Sequence, residues 1–200
     1  MPTLINSIKN FFFENRCWLK FTAIWFAATA LIGAVVFFIQ PDLLDRIVAL
    51  FTQKFGASPA LDSSLAQQIF NQNAIVCGIA LFGGLLLGIL PAIIVGVNGF
   101  LLGFVAMAAL SIGNPLAGVI VLIVGVVPHG LFEVPAFLVS ASLGLRLGLE
   151  WLGGGASGQR WNVLKQNFIN SVGYFAVIVV LLFLAAMIEV FVSGHLVDKF

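Results

Sequence analysis

LAGVIVLIVGVVPHGLFEVPAFLV, residues 116–139, is an apolar run that carries two ionisable side chains, His129 and Glu133. Its length suits a membrane crossing, which takes about 20 residues. A charged group at the bilayer centre costs roughly 3 kcal/mol on insertion scales. Positions i and i+4 share one face of a helix, so the imidazole and the carboxylate turn together toward other helices and away from lipid. Pro128 removes a backbone donor and Gly130 weakens the helix beside it. The fourth segment is therefore expected to be kinked or broken, its freed carbonyls facing protein or a water-filled cavity.

The remainder of the chain supports a membrane protein. Hydrophobic residues make up 61% and charged residues 8%, with a mean hydropathy of +1.14. The fold class is all-α, a polytopic bundle forming one transmembrane domain over residues 1–200. Its expected spans are residues 21–39, 74–97, 98–112, 116–139 and 172–192. The third is short and is expected to tilt or share depth with its neighbours. Ala28-Thr29-Ala30 resembles a signal-peptide cleavage site, but the run continues to Ile39, so it reads as an uncleaved anchor. Over residues 43–55, Leu44, Ile47, Val48, Phe51 and Phe55 oppose Asp45, Arg46, Gln53 and Lys54. That pattern predicts an amphipathic helix, capped by Asp42, in the interface or packed over the bundle, a reading that ranks ahead of a docking element for an extracytoplasmic partner. A short second helix is expected over residues 63–70.

Charge sets the topology. A net charge of +1 with no Lys/Arg cluster excludes nucleic-acid binding; the lipid bilayer is the expected partner. A cytoplasmic N-terminus collects Lys9, Arg16, Lys20, Arg146, Arg160 and Lys165 inside and leaves Arg46, Lys54 and Lys199 outside. The positive-inside rule thus gives a multi-pass cell-membrane protein with an extracytoplasmic C-terminus. Cys17 then lies on the inner side and Cys77 near the outer end of the second span, so no disulfide is expected.

The membrane-depth polar set adds Asn73, Asn98 and Glu189, with Asn71 and Arg146, to His129 and Glu133. Three readings compete: a structural polar core, a metal site, and a transport or proton path. In the metal reading His129 and Glu133 ligate a divalent ion, and Glu189, Asn98 or a second subunit completes the set. Counting ~1.5 Å per residue puts His129 ~20 Å along its span and Glu189 ~5 Å from the outer end of its own. Direct contact therefore demands a tilted, broken or re-entrant fourth segment, and the structural reading ranks first. Asn98-Gly99 is expected to mark another bend. Gly84/Gly88, Gly99/Gly103 and Gly144/Gly148 are small-residue pairs for close helix packing, one of which suits a homodimer face. Residues 153–158 form a glycine-rich linker that lacks the Lys-Ser/Thr ending of a phosphate loop. No His-Glu-x-x-His motif is present, and Ser111 and Ser140 have no paired base, so no catalytic residues are assigned and a non-enzymatic role is expected. His195 is expected to be solvated or interfacial.

These residues resemble the stage II sporulation protein M family of integral membrane proteins. The match is strongest at Pro128-His129-Gly130-Leu131-Phe132-Glu133-Val134-Pro135-Ala136 and Gly144-Leu145-Arg146-Leu147-Gly148. Ile69-Phe70-Asn71-Gln72-Asn73, Asn98-Gly99-Phe100-Leu101-Leu102-Gly103 and Ala185-Ala186-Met187-Ile188-Glu189 support it. The resemblance implies about five spans and a scaffold or assembly role beside extracytoplasmic cell-wall-remodelling partners, without hydrolase activity of its own.

Overall fold

The computed structural model describes residues 4–56, 59–111, 114–153 and 157–197. Among them the chain is helical: α1 Leu4–Ile39, α2 Leu43–Phe55, α3 Ser63–Phe82, α4 Ile89–Ser111, α5 Pro115–Val121, α6 Val127–Gly153, α7 Ser157–Ile188 and the short α8 His195–Val197. A π-helical stretch, Leu122–Val126, joins α5 to α6, and a second, Glu189–Gly194, follows α7. Five helical runs are long and apolar enough to cross a membrane: Lys9–Ile39, Ser63–Leu85, Ile89–Ser111, Pro115–Gly153 and Gln159–Gly194.

The bounds differ from the sequence expectation in informative ways. The expected boundary between the second and third spans, at residues 97–98, lies inside α4. The turn sits instead at residues 83–88, where Gly83–Leu85 forms a 3₁₀ turn and Leu87 and Gly88 take positive φ of 54° and 71°. Leu87 in that region is strained for a side-chain-bearing residue, which the neighbouring glycine does not share. Pro91 falls in the first turn of α4, where its missing N–H costs nothing. Residues 63–70 are not a separate helix but the first turns of α3. Asp62 caps that helix, accepting from the Ser64 and Leu65 N–H groups at 2.9 and 3.0 Å. Asp42 occupies the corresponding place before α2 but makes no side-chain cap bond. Of the expected linker at residues 153–158, residues 154–156 lie outside the described ones; Gly153 closes α6, and Ser157 and Gly158 open α7.

Helix α1 pairs with α4 and runs in the same direction. Trp25 Nε1–H donates to the Ala92 carbonyl at 2.9 Å, and Phe37 packs edge-on against Phe104 with ring centroids 5.4 Å apart. Glycines let the backbones meet. A Cβ on Gly99 would stand 2.2 Å from Thr29 Oγ1, and one on Gly103 1.8 Å from the Ala30 carbonyl oxygen. Asn98 makes no bend; its amide donates to the Ile94 carbonyl within a continuous α4, at 2.9 Å. Gly144 and Gly148 of α6 seat the α3–α4 turn in the same manner, each against a carbonyl oxygen (of Ala80 and of Gly84) that a Cβ would approach to 2.0 Å. All three glycine pairs therefore serve packing inside one bundle, and Gly84/Gly88 do so from a turn.

Helix α2 lies across one end of the bundle. Ile47 is buried beside Phe37, Phe104 and Ala108, while Phe55 packs on the cluster of Leu65, Ala66 and Val190. Lys54 hydrogen-bonds Gln72 of α3. These few side chains form its seat, while Val48, Leu50 and Phe51 remain more than half exposed.

Cys77 is buried on α3 and Cys17 exposed on α1, both as free thiols. Because α3 begins at Ser63, Cys77 lies deeper along its span than expected, toward the α3–α4 turn. Alkylation of unreduced protein followed by intact-mass measurement is expected to add one label to native protein, at Cys17, and two after denaturation. A protein that accepts none would contain a bridge this packing forbids.

Candidate functional site

Pro128 shapes the entrance to the site. It has no N–H to give the carbonyl four residues back, and its ring crowds that carbonyl. The chain answers with one wide turn immediately before it: the Val127 N–H donates to the Leu122 carbonyl, five residues back. The fourth segment is therefore re-registered and not severed, and His129 emerges directly after the wide turn. Stretches of this kind recur at functional sites.

His129, Glu133 and Glu189 come together. One ligand-capable atom from each, a ring nitrogen or a carboxylate oxygen, lies within 4.8 Å of the other two. All three residues are half-buried. The His129 ring has a backbone neighbour, Gly125 one turn back, but Nδ1 is buried without a hydrogen bond of good geometry; Ser193 Oγ, four residues beyond Glu189 on the π-helical stretch, is buried without a partner. The ion pairs of the described residues involve neither Glu133 nor Glu189. One imidazole and two carboxylates so placed have two chemical uses: they ligate a cation, or they share protons.

The contact with Glu189 corrects the depth count. That count assumed that the fourth and fifth spans end flush with each other. Instead the two π-helical stretches pack against one another, and α8 packs on Leu122–Val126. The last span thus ends level with the wide turn of the fourth, well past Pro115, and Glu189 meets His129. Asn73 is half-buried on α3, and the Asn98 amide is satisfied by the Ile94 carbonyl of its own helix. Gly130 has open space where a Cβ would be, so no close contact explains it. His195 is exposed, with Nδ1 3.2 Å from the Val190 carbonyl oxygen.

A second polar group sits at the Lys/Arg-rich end. Arg146 Nε donates to Glu150 Oε2 at 2.7 Å and Nη1 to Asn15 Oδ1 at 3.1 Å. Asn167 Nδ2 donates to the same Glu150 oxygen at 2.7 Å, and Glu14 lies 3.6 Å from Arg146. Asn15 is fully buried and also donates to the Phe11 carbonyl at 2.9 Å. This clamp joins α1, α6 and α7. Sequence reading singled out Arg146 but missed Asn15 and Asn167, whose spacing gives no sign of burial.

A protein-family model described as Stage II sporulation protein M matches residues 22–194. No curated protein and no solved structure matches the chain.

Proposed function

The chain belongs to the stage II sporulation protein M family, and on that premise we propose that it is a non-enzymatic membrane scaffold for envelope- or cell-wall-remodelling proteins. In this reading the N-terminus is cytoplasmic, and α2 lies at the extracytoplasmic surface, where partners dock.

The observation that carries the reading is the anchoring of α2. An amphipathic helix merely dissolved in the interface needs no fixed seat. This one is held on the bundle through Ile47, Phe55 and Lys54. Its outer side presents Leu50, 66% exposed, between Arg46 and Lys54 at helical spacing. With Val48 and Phe51, which are also more than half exposed, it forms an apolar patch of the kind that anchors an interface, and the seating of Ile47 and Phe55 lowers the cost of association.

A photo-crosslinking residue at position 50 in cells is expected to capture a wall-remodelling protein with an extracytoplasmic domain. Leu50→Glu should cut the association of that protein by about tenfold or more, with no change in the melting temperature of the bundle. Adducts to lipid alone, or to a second copy of the chain, would overturn the docking role.

A further inference from the structure

We propose that His129, Glu133 and Glu189 bind one divalent transition-metal ion, which staples the fourth span to the fifth inside the membrane. The site goes beyond the scaffold reading and does not depend on it.

Geometry comes first. Ligand atoms about 2.1 Å from an ion stand roughly 3.0–3.5 Å from one another. The three here already lie within 4.8 Å, so small side-chain rotations complete the set with no movement of the helices. His129 and Glu133 come from α6, and Glu189 opens the π-helical stretch after α7. A bound ion therefore ties two separate elements together.

Electrostatics gives an independent reason. Two carboxylates converge in a membrane-spanning region, where each charge is costly and their mutual repulsion adds to the cost. Arg146, the cation of the membrane-depth polar set, is committed to Glu150, Asn15 and Glu14 at the other polar group. A doubly positive ion neutralises both acids at once.

The buried imidazole points the same way. Its backbone neighbour, Gly125 one turn back, is too poorly placed to give Nδ1 a hydrogen bond of good geometry, a costly state for a buried polar atom that a ligand relieves. Both spans are widened to π-helical form beside the cluster, the distortion expected where side chains are re-aimed at a ligand.

Donor chemistry selects the ion. Calcium and magnesium favour all-oxygen sets. Imidazole with carboxylates suits zinc, manganese or iron(II), and three protein ligands leave a position for water.

The test uses the full chain in detergent or nanodiscs, dialysed against zinc(II) or manganese(II) and then against metal-free buffer. Elemental analysis is expected to find about one ion per chain, and the bound ion should raise the melting temperature. Glu133→Gln and Glu189→Gln keep side-chain volume and hydrogen-bonding capacity, and each should weaken binding by at least about tenfold. His129→Ala should do the same, while His195→Ala should retain the ion. If His129→Ala does not fold, the two glutamine variants decide the matter. Wild-type protein with metal no higher than the buffer blank would overturn the site, the cluster then sharing protons alone. Full retention of the ion by the Glu133→Gln/Glu189→Gln double variant would overturn it equally. Neither outcome touches the crosslink at position 50, so failure here and failure of the scaffold reading are separable.

Discussion

Gly103→Val is expected to cost at least about 3 kcal/mol and to leave little folded protein in detergent. The reason is the seam between α1 and α4, where even a bare Cβ would sit 1.8 Å from the Ala30 carbonyl oxygen. That neighbour is backbone, so no rotamer change relieves the clash and the two helices must part. In lipid no hydrophobic drive between helices offsets the lost contact, and association rests on close packing. Gly144→Val should behave similarly, because its Cβ would meet the Ala80 carbonyl oxygen at 2.0 Å. Gly130→Ala provides the contrast. Nothing lies within 4 Å of its Cβ position, and alanine is the better helix former by roughly 1 kcal/mol. Thermal melts of the three variants should therefore show two collapses and one unchanged or raised midpoint. Equal tolerance at all three sites would mean that the helices do not meet where described.

Arg146→Ala is the second large effect, a loss of about 2 kcal/mol. The guanidinium serves three partners, Glu150 on its own helix and Asn15 and Glu14 on α1, and its side chain is only 15% exposed. Without it the buried Asn15 oxygen loses its donor, and Glu150 keeps only Asn167. Part of the ion-pair energy is discounted, because Glu150 and Glu14 are 39% and 52% exposed and therefore screened. Arg146→Lys should recover less than half of the loss, since one ammonium cannot replace a fork that donates to Glu150 and Asn15 together. Glu14→Gln should change stability by no more than about 0.5 kcal/mol. The measurement is a melt in detergent at low salt. A wild-type midpoint for Arg146→Ala would show that the clamp contributes nothing.

Much of the architecture is written in the hydropathy of the chain. Burying so many consecutive apolar residues requires lipid, and the residue count limits the bundle to about five crossings. The amphipathic period of residues 43–55 likewise becomes a helix whose Ile47 is buried. Residues 74–112 were harder to divide. The real turn, Gly83 to Gly88, contains no polar side chain, so hydropathy passes through it without a dip. Asn98-Gly99 drew the boundary instead because it is polar, yet its amide is satisfied within its own helix. Pro91, permitted only near a helix start, was the available signal.

The site was half legible for a different reason. His129 and Glu133 share a face by local periodicity alone. Glu189 joins them through the stagger of two spans, and stagger is set by packing between distant segments. Asn15 escaped notice likewise, because a lone amide ahead of an apolar run reads as solvated until the partner helix is known.

The parallel seam between α1 and α4 carries a consequence for biogenesis. Trp25 and the carbonyl it meets are 67 residues apart, and the α2 and α3 segments must be synthesised between them. Helix α1 therefore waits in the bilayer without its principal mate until α4 is made. During that interval the bare glycine-facing groove of α1 is open to chaperones and quality-control proteases.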